Sequence, residues 1–333
     1  MTSTNHSPWR YCIAPMMDWT DRHCRFFHRQ ITKHARLYTE MVTTPALLHG
    51  NVPRHLDFDG AEHPVALQLG GSETDELAHC AKLAAQWGYD EVNLNCGCPS
   101  ERVQRGAFGA CLMAEPLLVR DCVKAMLDAL PASIPVTVKH RIGIDKTDSY
   151  AFVRDFVGTV SEGGARVFIV HARSAWLKGL SPKENREIPP LRYDFAAQLK
   201  RDFPQVTFVL NGGIAQHADA AAHLETGDGV MIGRHAYHEP WALHDVDELF
   251  FDAAPSARSR YDAVGAMHAY AARETARGVP LRAITRHMLG LFQGMPGART
   301  WRRMLSDSAR LGHNHPDLLL EAAQQTLPAR LAA

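Results

Sequence analysis

Short apolar runs alternate with amphipathic stretches along most of the chain, and the two periods separate cleanly. The runs Tyr11–Ala14, Arg36–Thr39, Val65–Leu69, Glu91–Asn95, Val136–His140, Val167–His171, Thr207–Asn211 and Gly229–Ile232 have the length and flanking turns of buried strands. Between them lie Asp21–Gln30, Thr74–Gln86, Pro116–Ala129, Ser149–Ser161, Phe195–Arg201 and Ala218–Glu225. There apolar residues recur at three- and four-residue steps, as in Leu77, Cys80, Ala81 and Ala84, which predicts helices. Eight strands with intervening helices in ~240 residues match an α/β architecture, the (β/α)₈ or TIM barrel. A doubly wound sheet is the rival. It favours a glycine-rich turn after the first strand, where this chain has Pro15-Met16-Met17-Asp18.

After Pro255 the strand pattern stops. Tyr261–Arg277, Leu281–Phe292, Ala298–Ala309 and Pro316–Gln325 read as helices separated by glycine- and proline-containing turns. The expected organisation is a barrel over residues 1–255 and an all-helical module over 256–333.

Composition changes this picture in two places. The 333 residues carry no formal net charge, yet Ser256 onward holds 11 arginines, no lysine and 5 acids. A basic module on a mildly acidic body suggests a polyanionic partner. The seven cysteines are odd in number, and Cys96-Gly97-Cys98 lacks the spacer of a zinc or thioredoxin motif. No secretory leader and no run of ~20 apolar residues is visible, so a cytoplasmic protein is expected.

Polar residues gather where the proposed strands end, which is where a barrel builds its active site. Gln68 ends the third strand, and Asn93 and Asn95 lie on the fourth with Cys98 just beyond. Lys139, His140 and Arg141 lie on the fifth, His171 and Arg173 on the sixth. Asn211-Gly212-Gly213 and Gly233-Arg234 follow the seventh and eighth, the usual phosphate-binding loops of such barrels. A buried Lys139 needs an anion or a polar partner, and a reduced flavin would supply one, with Gln68 on the ring edge and Met16 and Met17 against its apolar surface. From the residues alone, a phosphosugar isomerase stays open beside a flavin enzyme.

The segments Ala14-Pro15-Met16-Met17-Asp18-Trp19-Thr20-Asp21, Asn95-Cys96-Gly97-Cys98-Pro99-Ser100, Val138-Lys139-His140-Arg141-Ile142-Gly143, His171-Ala172-Arg173 and Leu180-Ser181-Pro182-Lys183-Glu184-Asn185-Arg186 resemble the tRNA-dihydrouridine synthases. The Trp176–Pro190 stretch and the Met16-Met17-Asp18-Trp19 form of the first motif are similar to the A subfamily, which acts on uridines 20 and 20a of the tRNA D-loop. The resemblance implies an FMN-dependent barrel with a C-terminal tRNA-binding helical domain, NADPH as reductant, and reduction of the uracil C5–C6 double bond. It implies FMN contacts from Pro15, Met16, Met17, Gln68, Lys139 and His171, with the phosphate on Asn211, Gly212, Gly213, Gly233 and Arg234. It implies Cys98 as the catalytic acid and Asn95 as a contact to the base. Lys183, Arg186, Arg299 and Arg302 match tRNA-contacting positions.

A thiol with an ordinary pKa near 8.5 is protonated at neutral pH and acidic enough to give its proton to C5. Cys98 then acts as an acid, and Cys96 is expected to be scaffold. Arg299, Arg302 and Arg303 share one face of a predicted helix, and Trp301 between them is expected to anchor the helical core. The competing readings are a flavin barrel acting on a free pyrimidine or dihydroorotate, and a non-catalytic RNA-binding barrel.

Overall fold

A computed structural model describes residues 6–100 and 106–327. Eight parallel strands form one sheet in the order β1-β8-β7-β6-β5-β4-β3-β2. They are β1 (Tyr11–Ile13), β2 (Leu37–Thr43), β3 (Val65–Gly70), β4 (Glu91–Cys96), β5 (Val136–Arg141), β6 (Val167–His171), β7 (Thr207–Asn211) and β8 (Gly229–Ile232). The sheet closes where the Ile13 amide donates to the Arg36 carbonyl at 2.8 Å and the Arg36 amide to the Tyr11 carbonyl at 3.0 Å. The result is a nearly closed TIM barrel.

The strict alternation of a strand sorts its residues between two surroundings. Cys12, Ala14, Tyr38, Ala66, Val167, Ile169, Val209 and Met231 pack into one cluster inside the barrel. Their strand neighbours Leu67, Val92, Val138, Phe168 and Val230 are also fully buried but face the opposite way, toward the helical layer. The helices Thr74–Trp87, Pro116–Ala129 and Tyr150–Glu162 bury matching stripes, such as Val119, Cys122, Val123 and Met126.

A carboxylate lies buried within this interior. Glu91, at the start of β4, accepts from Trp9 Nε1 at 2.7 Å, Tyr38 Oη at 2.8 Å and Thr137 Oγ1 at 2.5 Å, and pairs with Arg36 at 3.2 Å. A buried carboxylate with so many partners meets the condition under which a buried charge is tolerated. It sits at the N-terminal end of the barrel, the end that serves stability.

The chain divides into two compact units. Among the described residues, one holds the barrel, with residues 6–17 and Arg36–Gly233; the other joins Asp18–Ala35 to residues 234–327. In the second unit Trp301 is fully buried, donates from Nε1 to the Met288 carbonyl at 2.9 Å and meets Phe292 edge-on at 4.8 Å. It is the core anchor expected from its sequence. Glu274 is also buried there, paired with Arg22 at 2.7 Å and with Arg273 and Arg277 at 3.2 Å. Asp21 caps the Arg22–Ile31 helix through the amides of His23 and Cys24 and pairs with Arg286 and His287. Part of the arginine excess is therefore engaged inside this unit.

Two expectations need correction. β2 continues to Thr43 because its pairing with β3 resumes after a register shift between Tyr38 and Met41. The polar Thr39-Glu40 pair breaks the alternation there. The expected Leu281–Phe292 helix ends at Thr285. Beyond it the chain proceeds in tight turns, with Met288 bonded to Thr285 and Leu291 to Met288. Gly290 packs so closely that a Cβ there would lie 2.1 Å from the His238 carbonyl oxygen.

Candidate active site at the mouth of the barrel

The C-terminal ends of β3 to β8 bring together Gln68, Asn95, Cys98, Lys139, His171, Asn211, Gly212, Gly213 and Gly233. Alternation places Gln68, Asn95, Lys139, His171 and Asn211 on the interior side of their strands, in phase with the cluster below them.

Cys98 stands on a tight turn just past β4. Asn95 Oδ1 accepts from the amides of Gly97 at 3.0 Å and Cys98 at 2.9 Å, an Asx turn that makes the strand hold its own loop. The Cys98 carbonyl accepts from the Ala110 amide at 2.9 Å. Its thiol is half-buried and lies 3.5 Å from Ser100 Oγ. Cys96 is fully buried on the opposite side of the strand, and burial pushes its thiol well up, with Cys122 and Cys111 adding to the shift. Of this pair only Cys98 is less than fully buried. Residues 101–105, which follow the turn, lie outside the described residues.

Lys139 donates to Asn211 Oδ1 at 3.0 Å, and Asn211 Nδ2 donates to the Met231 carbonyl at 2.8 Å. The Lys139 ammonium has no carboxylate partner among the described residues. Burial and the neighbouring Arg141 pull its pKa down to about 7, with Cys98 acting against them. His171 is held neutral, its pKa driven well down by burial and then by Arg141 and Lys139.

The glycine turn after β7 is shaped by need. Gly212 and Gly213 have φ of 111° and 74°, in the left-handed region. A Cβ on Gly212 would stand 2.7 Å from His171 Cδ2, and one on Gly213 would stand 2.6 Å from Leu191. Tyr193 Oη donates to the Gly212 carbonyl at 2.8 Å and fixes the peptide. Gly233 follows β8 with Ala14 and Met16 3.7 Å from where its Cβ would be. Arg234 opens the next helix, at the start of the second unit. Pro15 and Met16 are partly buried after β1, and Met17 is 54% exposed.

Other residues at the strand ends have different duties. His140 faces the helical layer, its ring 5.3 Å from Phe156 and its Nδ1 2.6 Å from the Arg141 carbonyl oxygen, so it takes no part in the mouth. Arg141 is a structural residue that the motif left unassigned. It donates to the carbonyls of Gly97 at 3.1 Å, Ser174 at 3.4 Å and Asn185 at 2.9 Å. One guanidinium thereby ties the cysteine turn to the long loop after β6. Asn185, fully buried, holds that loop from within, accepting from the Trp176 amide at 2.7 Å and donating to the Trp176 carbonyl at 2.9 Å. Lys183 and Arg186 lie exposed on the same loop, and Trp176 is 40% exposed beside them.

In the second unit, the Ala298–Ser306 helix buries Trp301, Met304 and Leu305 and exposes Arg299, Arg302 and Arg303 on the other face. Arg302 donates to Gln293 Oε1 at 2.6 Å.

Comparison with known proteins decides the family. The family description "Dihydrouridine synthase (Dus)" matches residues 12–328. The chain belongs to the dihydrouridine synthase family. A relative from Pseudomonas aeruginosa named tRNA-dihydrouridine(20/20a) synthase is 60% identical over 297 residues, covering 89% of each chain. One of the same name from Vibrio vulnificus is 57% identical over 319 residues, covering 96% of each. Among solved structures, morphinone reductase superposes with a TM-score of 0.51 at 14% identity, covering 76% of this chain and 88% of its own, a likeness of fold. No helix among the described residues is long and apolar enough to cross a membrane.

Proposed function

We propose that this dihydrouridine synthase family member reduces the C5–C6 double bond of uridines 20 and 20a in the tRNA D-loop, using a bound FMN recharged by NADPH. The observation that carries this reading is the setting of Cys98: a half-buried thiol on a turn held by Asn95, at the mouth of a barrel that carries a half-buried lysine and a left-handed glycine pair.

The residues present fit a flavin. Lys139 lacks an acidic partner among the described residues and suits the N1/O2 edge of the ring, where negative charge gathers on reduction. Gln68 faces the interior two strands away, and Pro15, Met16 and Met17 offer apolar surface after β1. Gly212 and Gly213 leave room where any side chain would collide, as a phosphate-binding turn requires, with Asn211, Gly233 and Arg234 completing that site in the proposal. When bound, the flavin supplies the hydride that adds at C6.

The chain's own residues do the rest. Reduction breaks the C5–C6 π bond and leaves an electron pair conjugated between C5 and the C4 carbonyl. Cys98 gives its proton to C5, closing the second C–H bond, and the thiolate regains a proton from solvent. Asn95 keeps the sulfur in place through the two amides it accepts from and contacts the base. His171, held neutral, offers polar contact to the ring without adding a second cation. Lys183 and Arg186 on the loop after β6, with Arg299 and Arg302 on the helical module of residues 256–333, meet the tRNA backbone. Splaying the uridine out of the tRNA costs a few kcal/mol, which phosphate contacts offset.

The test is Cys98→Ala. The variant should bind flavin and allow its reduction by NADPH at the normal rate, while dihydrouridine formation in tRNA falls by at least ~100-fold. Near-normal tRNA turnover would overturn the assignment, and activity on free uracil would favour the metabolic alternative.

A further inference from the structure

A continuous file of hydrogen bonds runs through the barrel interior from its floor to the cysteine turn. Thr137 Oγ1 donates to Glu91 Oε1 at 2.5 Å, and Asn93 Nδ2 donates to Thr137 Oγ1 at 2.7 Å. Gln68 Nε2 donates to Asn93 Oδ1 at 2.7 Å, and Asn95 Nδ2 donates to Gln68 Oε1 at 2.8 Å. Asn95 Oδ1 in turn accepts from the Gly97 and Cys98 amides. Every side chain in the file is buried, from 0% exposed at Glu91, Asn93 and Thr137 to 8% at Asn95.

The direction of this file is forced from both ends. A carboxamide can be turned over without changing its shape, so its oxygen and nitrogen are told apart by their partners. The backbone N–H groups of Gly97 and Cys98 can only donate, so the Asn95 atom that meets them is oxygen. Its nitrogen then faces Gln68, which must answer with oxygen, and Gln68 nitrogen must face Asn93 oxygen. At the other end the Glu91 carboxylate receives the hydroxyl proton of Thr137, so that hydroxyl accepts from Asn93 nitrogen. Both derivations give the same orientation, and each dipole in the row points the same way. In a buried row such alignment strengthens every bond.

We infer that Asn93 and Thr137, anchored on Glu91, are positioning residues that lock Gln68 and Asn95 with their remaining N–H groups uncommitted. Among the described residues, each of those two amides has one N–H without a partner, while its oxygen is taken. This wall of the mouth is therefore a hydrogen-bond donor to whatever lies against it. It suits the carbonyl oxygens of a uracil or flavin ring and disfavours an exocyclic amino group, which brings donors of its own. The inference rests on the proposed function for the identity of that ring, but the file itself belongs to the protein.

Thr137 is the link to cut. Thr137→Val keeps the shape and removes the hydroxyl; Thr137→Ser keeps the hydroxyl; Thr137→Cys substitutes a weak donor and covers the case in which the valine variant does not fold. In ¹⁵N–¹H spectra of protein without tRNA, the side-chain amides of Asn93, Gln68 and Asn95 should all shift in Thr137→Val and return in Thr137→Ser. A shift confined to Asn93 would overturn the relay, and this readout needs neither cofactor nor activity. In the flavin-loaded enzyme, kcat should fall about tenfold in Thr137→Val while KM for tRNA stays within about twofold, the mark of impaired alignment in the reacting complex. Flavin affinity should order Ser, then Cys, then Val. A loss of melting temperature with kcat and flavin affinity unchanged would reduce the file to a structural brace. If wild-type protein reduced no tRNA, the functional reading would fail while the spectra still decided the relay.

Discussion

Lys139→Met separates the electrostatic role of this lysine from its bulk. Burial and Arg141 bring its pKa from 10.5 to about 7, a charging penalty of roughly 5 kcal/mol. Above pH 7, with no anion beside it, the lysine is therefore mostly neutral amine. An anion arriving beside it raises that pKa again, so the site takes up a proton. The oxidised flavin ring is uncharged and the reduced ring is anionic, so reduction should draw this extra proton over the one to two pH units above 7. A charge-assisted hydrogen bond is worth about 1.5–3 kcal/mol. For a two-electron couple that is about 30–60 mV. Spectroelectrochemical titration of the flavin-loaded protein at pH 6, where the lysine is charged in both redox states, should place the midpoint potential of Lys139→Met lower by this amount. The slope is a second signature: about 60 mV per pH unit in wild type above pH 7, against about 30 mV in the variant, because only wild type binds the second proton. Below pH 7 the lysine is charged in both redox states and the two slopes converge. Equal potentials and equal slopes across this range would refute the placement of Lys139 beside the redox-active ring.

Two further outcomes follow from geometry already described. Gly212→Ala places a methyl 2.7 Å from His171 Cδ2 at a backbone φ of 111°, so flavin affinity measured by fluorescence quenching should fall at least about tenfold, while Gly265→Ala, whose Cβ meets nothing within 4 Å, should leave it unchanged. Replacing Arg299, Arg302 and Arg303 together with glutamine should weaken tRNA binding and reduce the slope of log affinity against log salt by up to about two to three, one increment for each phosphate that is no longer neutralised. The circular dichroism of the triple variant should stay normal, because all three side chains are exposed.

The strands were legible where β-branched runs end in a turn. β6, β7 and β8 fall on the expected residues because valine, isoleucine and phenylalanine are bounded there by glycine or a charged loop. β2 was harder, since Thr39-Glu40 interrupts the alternation at the point where the register shifts. The break at Thr285 was hidden because leucine, isoleucine and methionine continue at helical spacing across it. At the mouth, motif spacing brought out Cys98, Lys139 and the glycine loops. Glu91, Asn93 and Asn95 carried a fainter signal, three polar residues two apart in a buried strand, which alternation alone places on one face. Their hydrogen-bond order needed coordinates, because it depends on which strands are neighbours.

Arg141 has a mechanical consequence. Its single guanidinium bonds the Gly97 carbonyl on one side and the Ser174 and Asn185 carbonyls on the other. The turn that carries the sulfur and the loop that presents Lys183 and Arg186 therefore share one buried strut. If a tRNA grips this loop as proposed, a displacement of the loop is passed through Arg141 to the cysteine turn. In the proposed function, more of the bending that brings a uridine to Cys98 would then fall on the nucleic acid.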